Sequence, residues 1–272
     1  MTAVEQPCFF HDRLGHRVAG VLAAPERPTD RLAVLCHGFL SHKNSTTNKA
    51  LARLFSDRDI ATLRFDFFGH GDSQGPFEKI TTTIGIEQAM AALQEAVSRG
   101  FHQIGLVGSS FGGLVSILAA ARWPDYRATH RESGTGVPPL ACLALKCPVV
   151  DFAEELRLEF GDEGMMQWKT TGTIPNILGG TGRIHLQYAF YEDCLGLIAY
   201  EPARRIEAPT LIVQGDADEL VPLHQSRRLL ESLAGVKRLE LLPGADHQFT
   251  KGEDFRTMTS LLVDWVTSYL PT

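Results

Sequence analysis

Gly108-Ser109-Ser110-Phe111-Gly112 sets a serine between two glycines, directly after the apolar run 103–107 and directly ahead of 112–122, which has helical spacing. In that context the serine occupies a strained strand-to-helix turn with its hydroxyl projecting above a sheet, and glycines flank it because side chains would collide across the turn. Ser110 is central by spacing, and Ser109 reads as a small packing residue. The chemistry open to such a serine is attack on an acyl carbon. Its hydroxyl is a poor nucleophile until a base removes the proton, so the pattern demands a histidine and a carboxylate to orient it. Both follow in order. Asp216 and Asp218 lie in Gly215-Asp216-Ala217-Asp218-Glu219-Leu220-Val221-Pro222, after the apolar run 210–214. That is the carboxyl end of a strand, where open α/β sheets collect their sites. His247 lies in Pro243-Gly244-Ala245-Asp246-His247, after the run 238–242.

Positioning these residues takes a sheet. Short runs rich in Val, Ile and Leu alternate with segments of three- and four-residue apolar spacing, the pattern of parallel strands covered by helices on both faces. Strands are expected at residues 9–12 and 17–22, an opening antiparallel hairpin around Leu14-Gly15, and then at 32–36, 61–65, 103–107, 141–145, 210–214 and 238–242. Amphipathic helices are expected at 49–57, 84–99, 112–122, 223–234 and 254–269. Residues 125–139, polar and rich in Gly, Pro and Thr, read as a surface loop. The stretch 151–202 separates two strands by far more than one crossover helix requires. Its Phe, Tyr, Leu and Trp168 can bury apolar surface, so it reads as an inserted cap or lid on a core formed by 1–150 and 203–272.

With 272 residues, 44% of them hydrophobic and 21% charged, the chain can bury one large core. A formal net charge of −6 supplies no basic footprint for nucleic acid or anionic lipid, and the pairs Arg204-Arg205 and Arg227-Arg228 are too short to supply one locally. Residues 1–7 show no cationic region ahead of an apolar run. No window approaches the ~20 apolar residues that span a bilayer, so a cytoplasmic protein without a membrane partner is expected. Cys8, Cys36, Cys142, Cys147 and Cys194 are odd in number and scattered, without metal-ligand spacing, and read as buried or idle thiols.

Further landmarks fall along nearly the whole chain: His37-Gly38-Phe39-Leu40 after a strand, then Arg64-Phe65-Asp66-Phe67-Phe68-Gly69-His70-Gly71-Asp72-Ser73, the turn at Ser110, the 215–222 stretch and Ala245-Asp246-His247. Together they resemble the α/β-hydrolase superfamily of serine hydrolases, especially its cinnamoyl (feruloyl) esterase-like and serine aminopeptidase-like group, where the order Ser, Asp, His also holds. The resemblance implies the α/β-hydrolase fold: a mostly parallel eight-stranded sheet with helices on both faces and an inserted cap. It implies Asp218, the second acid of its motif, as the partner of His247, with Asp216 holding the turn. It also implies an oxyanion hole made by the backbone N–H groups of Phe39 and Phe111, with Gly38 letting the chain approach the substrate. His37, His70 and Asp72 are expected to be scaffold. Lys146 departs from the small residues commoner there in relatives; its stem is expected to pack with the ammonium in solvent, the alternative being a charge at the pocket rim that favours an acidic acyl group.

The activity implied is hydrolysis of small or aromatic, cinnamoyl-like carboxylic esters through an acyl-enzyme, with no metal or organic cofactor. Fold alone leaves open the same groups acting on amide, thioester or acylglycerol bonds, or a non-catalytic ligand-binding homologue. Phe152, Phe160, Trp168, Tyr188, Phe190 and Tyr191 are expected to form the cap's own core. A peptidase would need an anchor for a free amine, from acids such as Glu154, Glu155, Glu192 or Asp193, which otherwise read as solvated helix charges. Strand edges and the cap offer surfaces for a homodimer.

Overall fold

The computed structural model describes residues 4–130, 136–175 and 182–272. β1 (Val4–His11) and β2 (Arg17–Ala24) form the opening hairpin, and β1 begins earlier than the apolar pattern from residue 9 suggests because its first four residues are exposed edge. Asp12 closes the hairpin by accepting from the Leu14 and His16 amides at 2.9 Å each. Next come β3 (Arg31–Cys36), β4 (Ala61–Phe65), β5 (Gln103–Ser109) and β6 (Leu140–Lys146). A separate two-stranded ribbon, β7 (Thr173–Pro175) and β8 (Arg183–His185), precedes β9 (Thr210–Gly215) and β10 (Lys237–Leu242).

The main sheet has eight strands in the order β1-β2-β4-β3-β5-β6-β9-β10. β2 is antiparallel to both neighbours, and from β4 to β10 every pairing is parallel. Two-residue alternation decides what each strand buries. Leu32, Val34 and Cys36 of β3 join one core while Ala33 and Leu35 join the other, and β6 repeats the division with Leu143 and Leu145 against Cys142 and Ala144. The first core takes α2 (Thr82–Ser98), α3 (Phe111–Thr129) and Leu229 of α7 (Leu223–Ser232); the second takes α1 (Thr46–Ser56) and α8 (Gly252–Tyr269). This is the α/β-hydrolase fold. Polar N-caps start the helices where the pattern begins: Ser45 accepts from Asn48 N–H for α1 and Thr81 from Ile84 N–H for α2, each at 3.2 Å.

One expectation is corrected. Residues 125–129 belong to α3, which runs through Pro124. Pro124 can donate no helical hydrogen bond. Packing compensates: Trp123 is buried, its indole N–H donates to Pro138 O at 2.9 Å, and it stacks on Tyr126 at 5.0 Å. Of the expected loop, residues 131–135 lie outside the described residues, and 136–139 carry no regular structure.

Between β6 and β9 the chain forms α4 (Phe152–Thr171), the β7–β8 ribbon, α5 (Ala189–Leu195) and α6 (Tyr200–Ala203). None of these joins the main sheet. α4 is capped by Asp151, which accepts from Glu154 N–H at 2.9 Å, and it breaks at Gly161, where φ is 59°. Asp193 of α5 ties the insertion to the body by accepting from the Thr83 amide at 2.8 Å. Among the described residues no helix is long and apolar enough to cross a membrane.

Candidate active site

Five parallel strands end on one edge of the sheet, and the loop after each contributes to one site. The register pairs Cys36 with Gly108, Ser109 with Lys146, Lys146 with Val213 and Gly215 with Leu242, so the loops after β3, β5, β6, β9 and β10 open side by side. With α4 they enclose a cavity of about 890 Å³ whose lining includes Gly38, Phe39, Ser110, Lys146, Phe152, Glu155 and His247.

Ser110 joins β5 to α3 at φ 53°, ψ −116°, a conformation that side-chain-bearing residues rarely adopt. Its surroundings hold it there. The Ser110 N–H donates to Lys146 O at 2.9 Å, and its carbonyl accepts from the Gly113 and Leu114 amides at 2.8 and 3.2 Å. A Cβ on Gly108 would stand 2.4 Å from Gly112 O, and one on Gly112 would stand 2.3 Å from Cys36 O. Both obstacles are backbone, so neither glycine can be replaced without moving a strand. The Gly38 loop comes as close from the other side, since a Cβ there would lie 3.4 Å from Ser110 Cβ. Among the described residues, no acceptor takes the N–H of Phe39 or of Phe111. Two unused donors therefore flank Ser110.

His247 follows β10, and its Nδ1 lies 2.9 and 3.0 Å from the two Asp218 carboxylate oxygens. A carboxylate can only accept, so Nδ1 carries a proton, and in the neutral imidazole the basic nitrogen is Nε2. Asp218 is held in turn by the Leu220 and Val221 amides at 3.0 and 2.9 Å and by Gln214 Nε2 at 3.1 Å. Burial pushes the Asp218 carboxyl up, but the His247 hydrogen bond and charge and the two amides outweigh it and leave its pKa below the ordinary value. Asp216 instead accepts from Gly244 N–H at 2.6 Å and fastens the β9 and β10 loops together. Ser110 and His247 face the same cavity but are not hydrogen-bonded to each other in this structure. Such a contact commonly closes only around substrate.

Cys147, Asp218 and His247 bring one potential ligand atom each within 4.8 Å of one another. The set does not suit a metal. Burial pushes the Cys147 thiol up, so it is no thiolate, and both Asp218 oxygens are committed to other donors. All five cysteines are free and buried, with Cys36 pushed up to about 12 by burial.

Lys146 differs from expectation. Its ammonium does not reach solvent; it donates to His247 O at 2.7 Å and lies 5.4 Å from the Phe249 ring. β6 ends directly beneath the β10 loop, which turns a stem expected to pack outward into a strut for the histidine. His37 is scaffold in this structure: its Nε2 accepts from Phe67 N–H at 3.0 Å and its Nδ1 lies 2.8 Å from Gly38 O, while burial and then His70 keep it neutral. Asp66 receives the Lys43 ammonium and the Lys43 and Asp72 amides. Gly71 is obligatory beside it, since at φ 48° a Cβ would meet Asp66 Oδ2 at 2.1 Å.

The insertion's aromatics divide. Phe160, Trp168, Tyr188 and Tyr191 pack on one another, with the Trp168 indole donating to Leu186 O at 2.7 Å. Phe152 and Phe190 instead meet Phe39, at 5.8 and 5.1 Å between ring centres; Phe152 lines the cavity with Ser110, while Phe190 is fully buried. Three side chains with no motif to announce them also sit at the site or behind it, Gln214, Gln225 and Glu155, and within the 215–222 motif Glu219 accepts from His247 N–H at 3.1 Å. Gln214 alone carried a signal, a polar residue inside the buried run of β9.

Residues 33–250 match the Alpha/beta hydrolase family. The chain belongs to that family. This hydrolase is similar to the human mitochondrial palmitoyl-protein thioesterase ABHD10, at 23% identity over 230 residues covering 84% of this chain and 71% of that protein. It is also similar to the monoacylglycerol lipase of Mycolicibacterium smegmatis, at 22% identity covering 94% and 95%. Among solved structures, Est1E of Butyrivibrio proteoclasticus with ferulic acid bound superimposes with a TM-score of 0.79 at 22% identity, covering 96% of this chain and 98% of Est1E. At these identities the structures speak for the fold, while the relatives' names make an esterase, thioesterase or lipase type of hydrolase the common ground.

Proposed function

We propose that the protein is a serine carboxylic-ester hydrolase that works through an acyl-enzyme, with Ser110 as nucleophile, His247 as general base, Asp218 as the acid that orients it, and the Phe39 and Phe111 amides as oxyanion hole. The observation that carries this reading is the Asp218–His247 pair, at 2.9 Å, facing the same cavity as a serine on a strained turn. His247 Nε2 takes the Ser110 proton as Oγ attacks the ester carbonyl. The resulting oxyanion receives the two unused N–H groups, which contribute about 3–4 kcal/mol each to the transition state. His247 then protonates the departing alcohol, and water, deprotonated by the same nitrogen, releases the acid. The insertion acts as a cap whose Phe152, with Phe190 packed against it, shapes the acyl pocket, which favours small or aromatic acyl groups.

The names of the thioesterase and lipase relatives favour a second reading, a long-chain acyl thioester or acylglycerol in the same site. One experiment separates them: hydrolysis of p-nitrophenyl acetate to decanoate, methyl ferulate and palmitoyl-thioester by the wild type and by Ser110→Ala. The proposal expects esters to be turned over, short or aromatic acyl groups to be preferred, and kcat to fall about 10⁶-fold in the variant. A preference rising to the palmitoyl thioester supports the second reading, and activity that persists in Ser110→Ala overturns both.

A further inference from the structure

Glu155 sits in the first turn of α4, lines the same cavity as Ser110 and is 4% exposed. Its Oε2 is sealed from solvent and has no hydrogen-bond partner among the described residues. The neighbouring acids of the insertion are all occupied or in water. Glu154 accepts from Gln225 at 2.9 Å and meets His224 at 3.0 Å, Asp193 caps α2 through Thr83, and Glu192 is exposed. A buried carboxyl without a partner costs stability, so one on a residue that lines a substrate cavity points to a partner that arrives with the substrate.

We propose that the cavity takes substrates bearing a primary ammonium group, with Glu155 as the carboxylate that receives it. The inference rests on the hydrolase reading of Ser110 for its chemistry but not for its binding. The charges that bear on Glu155 are those of Glu159 on its own helix and Asp218 on the β9 loop, both acidic, and the Cys194 thiol of α5 faces it as well. Lys146, a cation lining the same cavity, has its ammonium on the His247 carbonyl. Burial first, then Glu159 and Asp218, hold the Glu155 carboxyl well above its ordinary range, which favours its protonated form while the site is empty. When an ammonium enters, the carboxyl gives that proton to solvent and its oxygen accepts the ammonium N–H. Phe39 and Phe152 line the same cavity, and aromatic rings attract cations. A neutral ligand of the same shape gains neither contact.

The test uses n-alkylammonium ions from butyl to octyl, against n-alkanols of equal length, as inhibitors of p-nitrophenyl acetate hydrolysis by the wild type, Glu155→Gln and Glu155→Leu. The best ammonium should inhibit the wild type about tenfold more tightly than its alkanol, and both variants should bring the two within about twofold. Calorimetric titration of Ser110→Ala in two buffers of different ionisation enthalpy should show proton release with the ammonium, and Ser110→Ala/Glu155→Gln should show none. Equal inhibition by ammonium and alkanol in the wild type, or a preference that survives both variants, overturns the proposal. Proton-releasing binding alongside ester hydrolysis undiminished by Ser110→Ala supports the ammonium site and overturns the serine mechanism instead.

Discussion

The strand-end loops and the insertion meet at one cavity but are built under different constraints. On the sheet side, nearly every position is dictated by backbone: Gly108 and Gly112 face carbonyls at 2.4 and 2.3 Å from a hypothetical Cβ, Ser110 is locked by main-chain hydrogen bonds, and Asp218 has two amides, a glutamine and a histidine on its oxygens. On the insertion side the ties are side chains, including rings packed on rings and a carboxyl, Glu155, left with an unpartnered oxygen. The contrast separates two jobs. A group whose position the sheet over-determines can run one chemistry on many substrates, while a wall built from side chains can change from one relative to the next without disturbing it.

The contrast breaks most visibly at Asp218. Asp218→Asn keeps the shape but can present an N–H to Nδ1, so the imidazole takes the wrong tautomer; kcat should fall about 10⁴-fold with the far-ultraviolet spectrum unchanged. Lys146→Met probes the same side more gently. Removing the ammonium leaves the buried His247 carbonyl with only the weak Cys147 thiol donor at 3.8 Å, and we expect a loss of about 1–3 kcal/mol in denaturant titration. The histidine it props should drift as well, lowering kcat by about tenfold while KM holds.

Glu155→Leu gives the smallest effect, with the opposite sign. Removing an unsatisfied buried carboxyl should raise stability by about 1–3 kcal/mol. Its pH dependence follows from the raised pKa. The folded protein keeps a proton that the unfolded chain releases above about pH 4.3, so the acid's contribution is present below that value and is lost as pH rises towards the folded pKa. The advantage of leucine should therefore grow as pH rises through that window, read as the difference in Tm between variant and wild type. A leucine variant less stable than the wild type at neutral pH would put Glu155 among the structural acids and erase the contrast.

Much of the sheet side is legible in the sequence, because its signals are local. Apolar runs locate the strands of the main sheet, and the glycines of 108–112 announce a turn whose cause, backbone crowding, is local too. The motifs bring Ser110 and His247 to one cavity, with Asp218 behind His247, and among the described residues leave the Phe39 and Phe111 amides unused. What sequence patterning misses depends on partners far along the chain. Residues 125–129 look like loop because Pro124 precedes them, yet the Trp123 indole bond to Pro138 and the Tyr126 stack carry the helix through. Lys146 looks solvated because nothing local reveals that residue 247 will lie above it, and Glu155 looks like an ordinary first-turn helix acid until the cavity closes over it. Charges are buried by tertiary structure, and their periodicity carries no record of it.

The central claim is that Ser110 carries the acyl group. Mixing the protein with p-nitrophenyl acetate at low temperature, quenching in acid within one turnover and measuring intact and peptide masses tests it directly. The account predicts one acetyl adduct on the peptide containing Ser110, absent in Ser110→Ala and formed far more slowly in His247→Ala. Nitrophenol release with no adduct, or an adduct on any other residue, would contradict it.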